Sequence, residues 1–418
     1  MADLQFYIRP LEPLFFGPPH SISAGETHHL RSLFPPPVSA FQGLIRSAIL
    51  HAVNTPLDLN DFSKSACRER ATLVGTPDEL PPGWQFHGPY PAHRSAEKPH
   101  QFIPWLPVPR LLFGDGKKTP CYAHWLDNAQ GGMDDLSDNA GHLLGRPERD
   151  AVDSLRGWCS VENLHATLRG SAESEWSGAG YRQELPPFVA WDGQAGLALD
   201  RKDGDGERKR SVTARHGMLY FQQRLRLKVD SGFIGGLSGQ LPAGVSTHAL
   251  SGGTGTWGRK SRPVALTLAG NNAFSRHWRE LLAGEHLAGF DSTPPSENDL
   301  FWLVTLTPVA LEHSTAPHPR LAEGSVTFQC LAALPGPYVV AGGYDLASGS
   351  PRANRKLVPA GSAWLFRLMG GDPAARRRAL LSLNNAFPLG PPQEAAFGYG
   401  HTLVGIAPPA TDQTGEQQ

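Results

Sequence analysis

The stretch SGGTGTWGRKSRP, residues 251–263, runs directly into PVALTLA, residues 263–269. Its spacing, Gly253-x-Gly255-x-x-Gly258, is that of a dinucleotide-binding turn, and it nearly spells a phosphate-binding P-loop. The element after the glycines decides between folds. A dinucleotide turn opens a helix whose N-terminus faces the pyrophosphate. Here Pro263 and an alternating apolar run come next, which is the pattern of a strand. In a P-loop the lysine directly succeeds the last glycine; here Arg259 intervenes and shifts Lys260 and Ser261 by one position. Both nucleotide readings therefore fail on context. What remains is a flexible loop with a basic end, whose bare backbone can approach a polyanion such as RNA.

Alternation recurs along the chain. Residues 4–11 (LQFYIRPL) predict a first strand, and the acidic-glycine turn DGDGE, residues 203–207, predicts a hairpin between two arms. In the second arm Leu219, Phe221, Leu225, Leu227 and Val229 take one face. Tyr220, Gln222, Arg224, Arg226 and Lys228 take the other, giving a half-buried strand with a basic outer face. Further strands are predicted at 300–309, 325–334, 338–343, 363–369 and 402–408. Helices are predicted at 39–53, with Ser39 as N-cap, at 271–284, and at 372–387, with Pro373 in the first turn. Strands with few helices imply an α+β fold, read as two sheet-plus-helix units. From about 55 to 190 the periodicity is poor and prolines are frequent, which reads as irregular insertions on a smaller core.

The 418 residues suit two domains, each able to bury a core. A formal net charge of −1 argues against coating nucleic acid by bulk charge. Charge is local instead. From Glu207 to Lys228 seven bases (Arg208, Lys209, Arg210, Arg215, Arg224, Arg226, Lys228) face one acid, a balance of +6. Smaller clusters lie at 259–262 (RKSR), 352–356 (RANRK) and 376–378 (RRR).

Catalytic and metal patterns are missing at sequence level. Cys67, Cys121, Cys159 and Cys330 form no CxxC pair and read as reduced thiols. There is no HExxH, and Asp134 and Asp135 read as a solvated turn. His28 and His29 are a conceivable acid–base pair for RNA cleavage, though a polar loop pair is the plainer reading. The expectation is no catalytic residue, no metal and no cofactor. The N-terminus has no apolar core of a signal peptide, and the most apolar stretch, 300–311, is too short to span a bilayer. A cytoplasmic protein without membrane attachment is expected.

PLEPLFFGPPHSISAG at 10–25, then SLFPPPVSAFQGLIRSAIL at 32–50, resembles the N-terminus of RAMP proteins of CRISPR systems. Together with TARHGMLYFQQRLRL at 213–227, LSGGTGTWGRKSRPVAL at 250–266 and GGYDLASGSPRANRKLVPAGSAWLF at 342–366, it is most similar to one RAMP subunit of the type III-B (Cmr) effector. That subunit holds the 5′ handle of the guide RNA (crRNA). FGYGHTLVGI, residues 397–406, matches the family's closing loop and strand. The glycine loop at 251–262 is longer than the family's and lacks its glutamate.

The resemblance implies two ferredoxin-like (RRM-like) domains with glycine-rich loops and large irregular insertions. The expected boundaries are 1–235, with insertions at about 55–190, then 236–407, and a disordered tail at 408–418. It implies an RNA-binding subunit that is not an enzyme, docked to the large polymerase/cyclase-like subunit and to the first backbone RAMP subunit. The residues expected on RNA are Arg46, Lys209, Arg210, Arg215, His216, Tyr220, Arg259, Lys260, Arg262, Arg352, Arg355 and Lys356. Two alternatives stand beside this: a RAMP endoribonuclease processing CRISPR transcripts through His28 or His29, and a protein-only scaffold whose basic patches meet acidic partners.

Overall fold

The computed structural model describes residues 3–18, 28–53, 61, 63–114, 118–126, 142–144, 154–199, 214–289, 293–310, 319, 321–345 and 349–408. The predicted turn at 203–207, the acidic pair Asp134 and Asp135, and nearly all of the expected tail lie outside them.

Two mostly antiparallel sheets organise a mixed α+β fold. The first has eight strands, in the order Tyr181–Arg182, Trp158–Ser160, Phe102–Pro107, Gln85–Arg94, Ser231–Ser238, Leu4–Pro10, Arg262–Leu268, Thr254–Trp257. The second has five: Leu321–Glu323, Val326–Leu334, Ala363–Gly370, Leu300–Thr305 and Thr402–Ile406. Within each, every neighbouring pair is antiparallel.

The central strands of both sheets are buried on both faces, and the period of two along a strand sorts side chains between cores. Phe6 and Ile8 point to one side, where helix Val38–His51 contributes Phe41, Leu44, Ile45 and Ile49. Tyr7 points to the other side and joins a shared core. That core takes Leu164 and Leu168 from helix Val161–Leu168, Trp278 and Leu281 from helix Arg276–Ala283, and Trp302, Val304 and Leu365 from the second sheet. Phe301, Leu303, Trp364 and Phe366 point away from it, under Ala379, Leu380 and Leu383 of helix Pro373–Leu383. Helix Pro373–Leu383 starts as its sequence dictates: Asp372 accepts a hydrogen bond from the Ala375 amide, and Pro373 fills the first turn.

Three expectations are corrected. The described residues between 55 and 190 are not a mere irregular insertion: they supply four of the eight strands of the large sheet. Pro89 is accommodated by a bulge, since the register against Ser231–Ser238 slips between Ile234, paired with Tyr90, and Gly236, paired with His87. The slip sets Gly88 and Pro89 outside the ladder, where a missing N–H costs no bond. The division expected at 235/236 falls inside the strand Ser231–Ser238, and the large sheet continues to Leu268. Helix Val38–His51 begins one residue before Ser39, with Pro37 as its N-cap and no side-chain cap. The four cysteines are free. Among the described residues no helix is long and apolar enough to cross a membrane.

Candidate nucleic-acid interface

The glycine run is a β-hairpin. Thr254–Trp257 pairs with Arg262–Leu268 as the outer edge of the large sheet, with Trp257 opposite Arg262. Its glycines serve packing and turning. A Cβ on Gly255 would lie 2.8 Å from Leu44 Cδ1, so a bare backbone lets helix Val38–His51 approach. Gly258 has φ +74, and a Cβ there would lie 2.8 Å from the carbonyl oxygen of Phe15. Lys260 and Ser261 also take positive φ, 63 and 48, the conformation that closes a tight hairpin turn. The Arg259 amide donates to Phe15 O at 2.8 Å, and its side chain lies beside Gly17. The expected flexible loop is thus a turn anchored at its base.

This turn presents two exposed cations, Arg259 and Lys260. Lys260 Nζ stands 5.9 Å from the ring centroid of half-buried Tyr220 and 3.4 Å from its hydroxyl. The Tyr220 ring crosses bare backbone at Gly196, where a Cβ would meet it at 2.0 Å. Tyr220, Arg259 and Lys260 therefore form one surface, with cations beside an aromatic face. No carboxylate among the described residues pairs with Arg259 or Lys260. Arg262 differs: it is bound to Glu12 at 2.6 Å.

The basic strand face is largely neutralised. Arg224 and Arg226 both bind Asp192 on the neighbouring strand, at 2.5 and 2.9 Å. Burial alone would raise the Asp192 pKa, but hydrogen bonds from Arg226 and Arg224 hold it below the usual carboxylate range. The expected sorting of faces is also incomplete, since Phe221 and Val229 are exposed while Gln222 is buried. The exposed ring of His29 stacks on Phe221 at 5.1 Å. Lys209 and Arg210 lie outside the described residues. Arg215 and His216 lie on the strand Ala214–Leu227, and of their side chains nothing is described.

The remaining expected residues gather elsewhere. Arg352, Arg355 and Lys356 sit on Ser350–Leu357, paired with Val339–Asp345 in a separate two-stranded sheet. This sheet walls a cleft of about 480 Å³ with Ser39 and Gln42 of helix Val38–His51, the Pro77–Asp78 segment, and Glu394, Phe397 and Tyr399. Arg352 crosses it to Asp78 at 2.9 Å. Arg355 pairs with Glu394 and lies 4.8 Å over the Tyr399 ring. Lys356 is exposed. Arg46 is not free: it donates to Gly75 O at 2.6 Å, holding the segment that carries Asp78. These arginines tie the cleft walls together.

One cluster has no counterpart among the sequence expectations. His165, His277 and Glu280 place a ligand atom each within 4.8 Å of one another. Burial, then the charge of His277, pushes the His165 pKa down to about 4. The residues come from two distant segments, so no contiguous motif exposes them. A signal was present: Glu162-x-x-His165 and His277-x-x-Glu280 are both i, i+3 pairs, which share one helix face.

The family described as "CRISPR-associated protein (Cas_Cmr3)" matches residues 6–407. No curated protein matches the chain. Two solved structures are loosely similar. One is a chain of a type III-B Cmr-beta complex bound to cognate target RNA, with 13% identity over 86% of both chains and a TM-score of 0.43. The other is a chain of that complex bound to cognate target RNA and AMPPnP, with 14% identity over 86% of both chains and a TM-score of 0.40. With the match spanning both sheets and the strands between them, the chain belongs to the Cas_Cmr3 family of CRISPR-associated proteins.

Proposed function

We propose that this subunit of a type III-B CRISPR complex is its non-catalytic grip on the 5′ handle of the guide RNA. It docks the large polymerase/cyclase-like subunit on one side and the first backbone RAMP subunit on the other, in the cytoplasm. The family's two ferredoxin-like (RRM-like) domains belong to the same reading. The carrying observation is the surface of Arg259, Lys260 and Tyr220: two exposed cations on an anchored turn beside an aromatic ring. Single-stranded RNA is held by such pairs, phosphates on the cations and a splayed base on the ring. Lys209, Arg210, Arg215, His216 and Lys356 extend the proposed contact. Arg46, Arg262, Arg352 and Arg355 enter it only through rearrangement of the pairs they already make.

Binding of labelled guide RNA with an intact or scrambled 5′ handle tests this, with the protein alone and with its large-subunit partner. Handle preference that weakens in Arg259→Ala/Lys260→Ala is the expected result. Equal binding to both RNAs sinks handle recognition. Assembly that survives ribonuclease then favours the protein-only scaffold, and cleaved repeat RNA favours the endoribonuclease.

A further inference from the structure

Helices Val161–Leu168 and Arg276–Ala283 pack against each other at the shared core between the two sheets. Each turns an i, i+3 pair toward the other. His165 Nε2 stands 3.4 Å from Glu280 Oε2, and His277 Nδ1 stands 3.9 Å from Glu162 Oε1. The two imidazole rings lie 4.9 Å apart. Ligands bound to zinc at about 2.0–2.2 Å in a tetrahedron sit roughly 3.4 Å from one another, so the first pair already has that separation. Arg276 Nε holds the other carboxylate oxygen of Glu280, Oε1, at 2.5 Å and leaves Oε2 turned toward His165. His165 and Glu280 are largely buried, whereas His277 and Glu162 are about two-fifths exposed, so the cluster is open to an entering ion on one side.

We propose that Glu162, His165, His277 and Glu280 form a divalent transition-metal site, occupied by zinc, that clamps the two helices together. Two imidazoles and two carboxylates on facing helices suit zinc and not magnesium, which takes oxygen ligands and keeps its waters. His165, His277 and Glu280 already converge, and Glu162, 3.9 Å from His277, is the fourth ligand that closes the tetrahedron; a site closed by four protein ligands is structural. The clamp joins a helix that follows a strand of the first sheet to a helix that precedes the first strand of the second.

The test uses the full-length chain without a histidine tag, stripped with chelator, equilibrated with zinc sulfate and desalted. Metal content is read by mass spectrometry, and thermal unfolding is followed with zinc, magnesium or chelator. The expected result is one zinc per chain and a midpoint several degrees higher with zinc than with magnesium or chelator, as for any ligand bound only by the folded state. His277→Ala, at a half-exposed position, and Glu280→Gln, which keeps the shape, are expected to lose both the zinc and the shift. Far-UV circular dichroism shows whether each variant is folded. Zinc retained equally by wild type and a folded variant overturns the site, as does a wild-type chain that retains none.

Discussion

Two β-hairpins carry comparable basic clusters in very different states. In the first, the turn between Thr254–Trp257 and Arg262–Leu268, Arg259 and Lys260 stand exposed on a backbone pinned to Phe15. In the second, Ser350–Leu357, Arg352 and Arg355 are held by Asp78 and Glu394 across a cleft. A count of lysines and arginines rates the two alike. Availability separates them, because a cation already bonded to a carboxylate must break that pair before it can meet a phosphate. The first hairpin is built to present charge and the second to use it in fastening elements distant in sequence.

The comparison breaks most readily at Gly258. Alanine there must adopt φ near +74 with its Cβ 2.8 Å from a backbone oxygen that cannot step aside cheaply. Gly258→Ala is expected to cost about 1–3 kcal/mol by the strain of a left-handed non-glycine residue, read by denaturant unfolding. It should also weaken RNA binding more than removal of either cation alone, since it moves both. Unchanged stability and binding would mean that the turn is not anchored as described.

Removing the charges comes next. Arg259→Ala/Lys260→Ala is expected to lower affinity for handle RNA about tenfold. It should also reduce the slope of log K against log salt by about 1.4, at roughly 0.7 per single-strand phosphate. Arg352→Ala/Arg355→Ala should leave the slope unchanged. An equal loss of slope in both variants would erase the distinction between the hairpins. Unfolding of Arg355→Ala separates them from the other side. Its exposed ion pair and its place over Tyr399 are worth about 1 kcal/mol together, whereas Lys260→Ala should be neutral to stability.

Much of the fold is legible in the sequence, and the misses have identifiable causes. Strands at 4–10, 300–305 and 363–370 announce themselves because each alternates between two apolar cores, as Phe301 and Trp302 do. The exclusion of a nucleotide fold rests on Pro263 and the strand after it, and the hairpin agrees. Gln85–Arg94 is hidden because Gly88, Pro89 and Pro91 read as breakers, and only the pairing register shows the bulge that houses Gly88 and Pro89 while Pro91 stays opposite Phe233. Arginine positions are visible and their partners are not. Asp78 and Asp192 lie far in sequence from the arginines they bind, and long-range pairing has no local signature. The histidine cluster is hidden for the same reason, since one helix carries His165 and the other His277 and Glu280.

Arg262 supplies the finest probe, because it belongs to the first hairpin by position and to the second by state. It is bound to Glu12, whose side chain is 47% exposed. An exposed pair of this kind is worth at most about 1 kcal/mol, so Glu12→Gln should barely change the unfolding midpoint. It should free Arg262 beside Arg259 and Lys260. If availability of charge governs binding, affinity for handle RNA rises about twofold at low salt, the scale set by roughly 0.5 kcal/mol. The gain fades as salt screens the added charge, over a Debye length of about 10 Å at 0.1 M. It also disappears in Glu12→Gln/Arg262→Ala. A gain that persists without Arg262 would assign the effect to removal of a repelling carboxylate, and the pairing state of Arg262 would then carry no weight in the comparison.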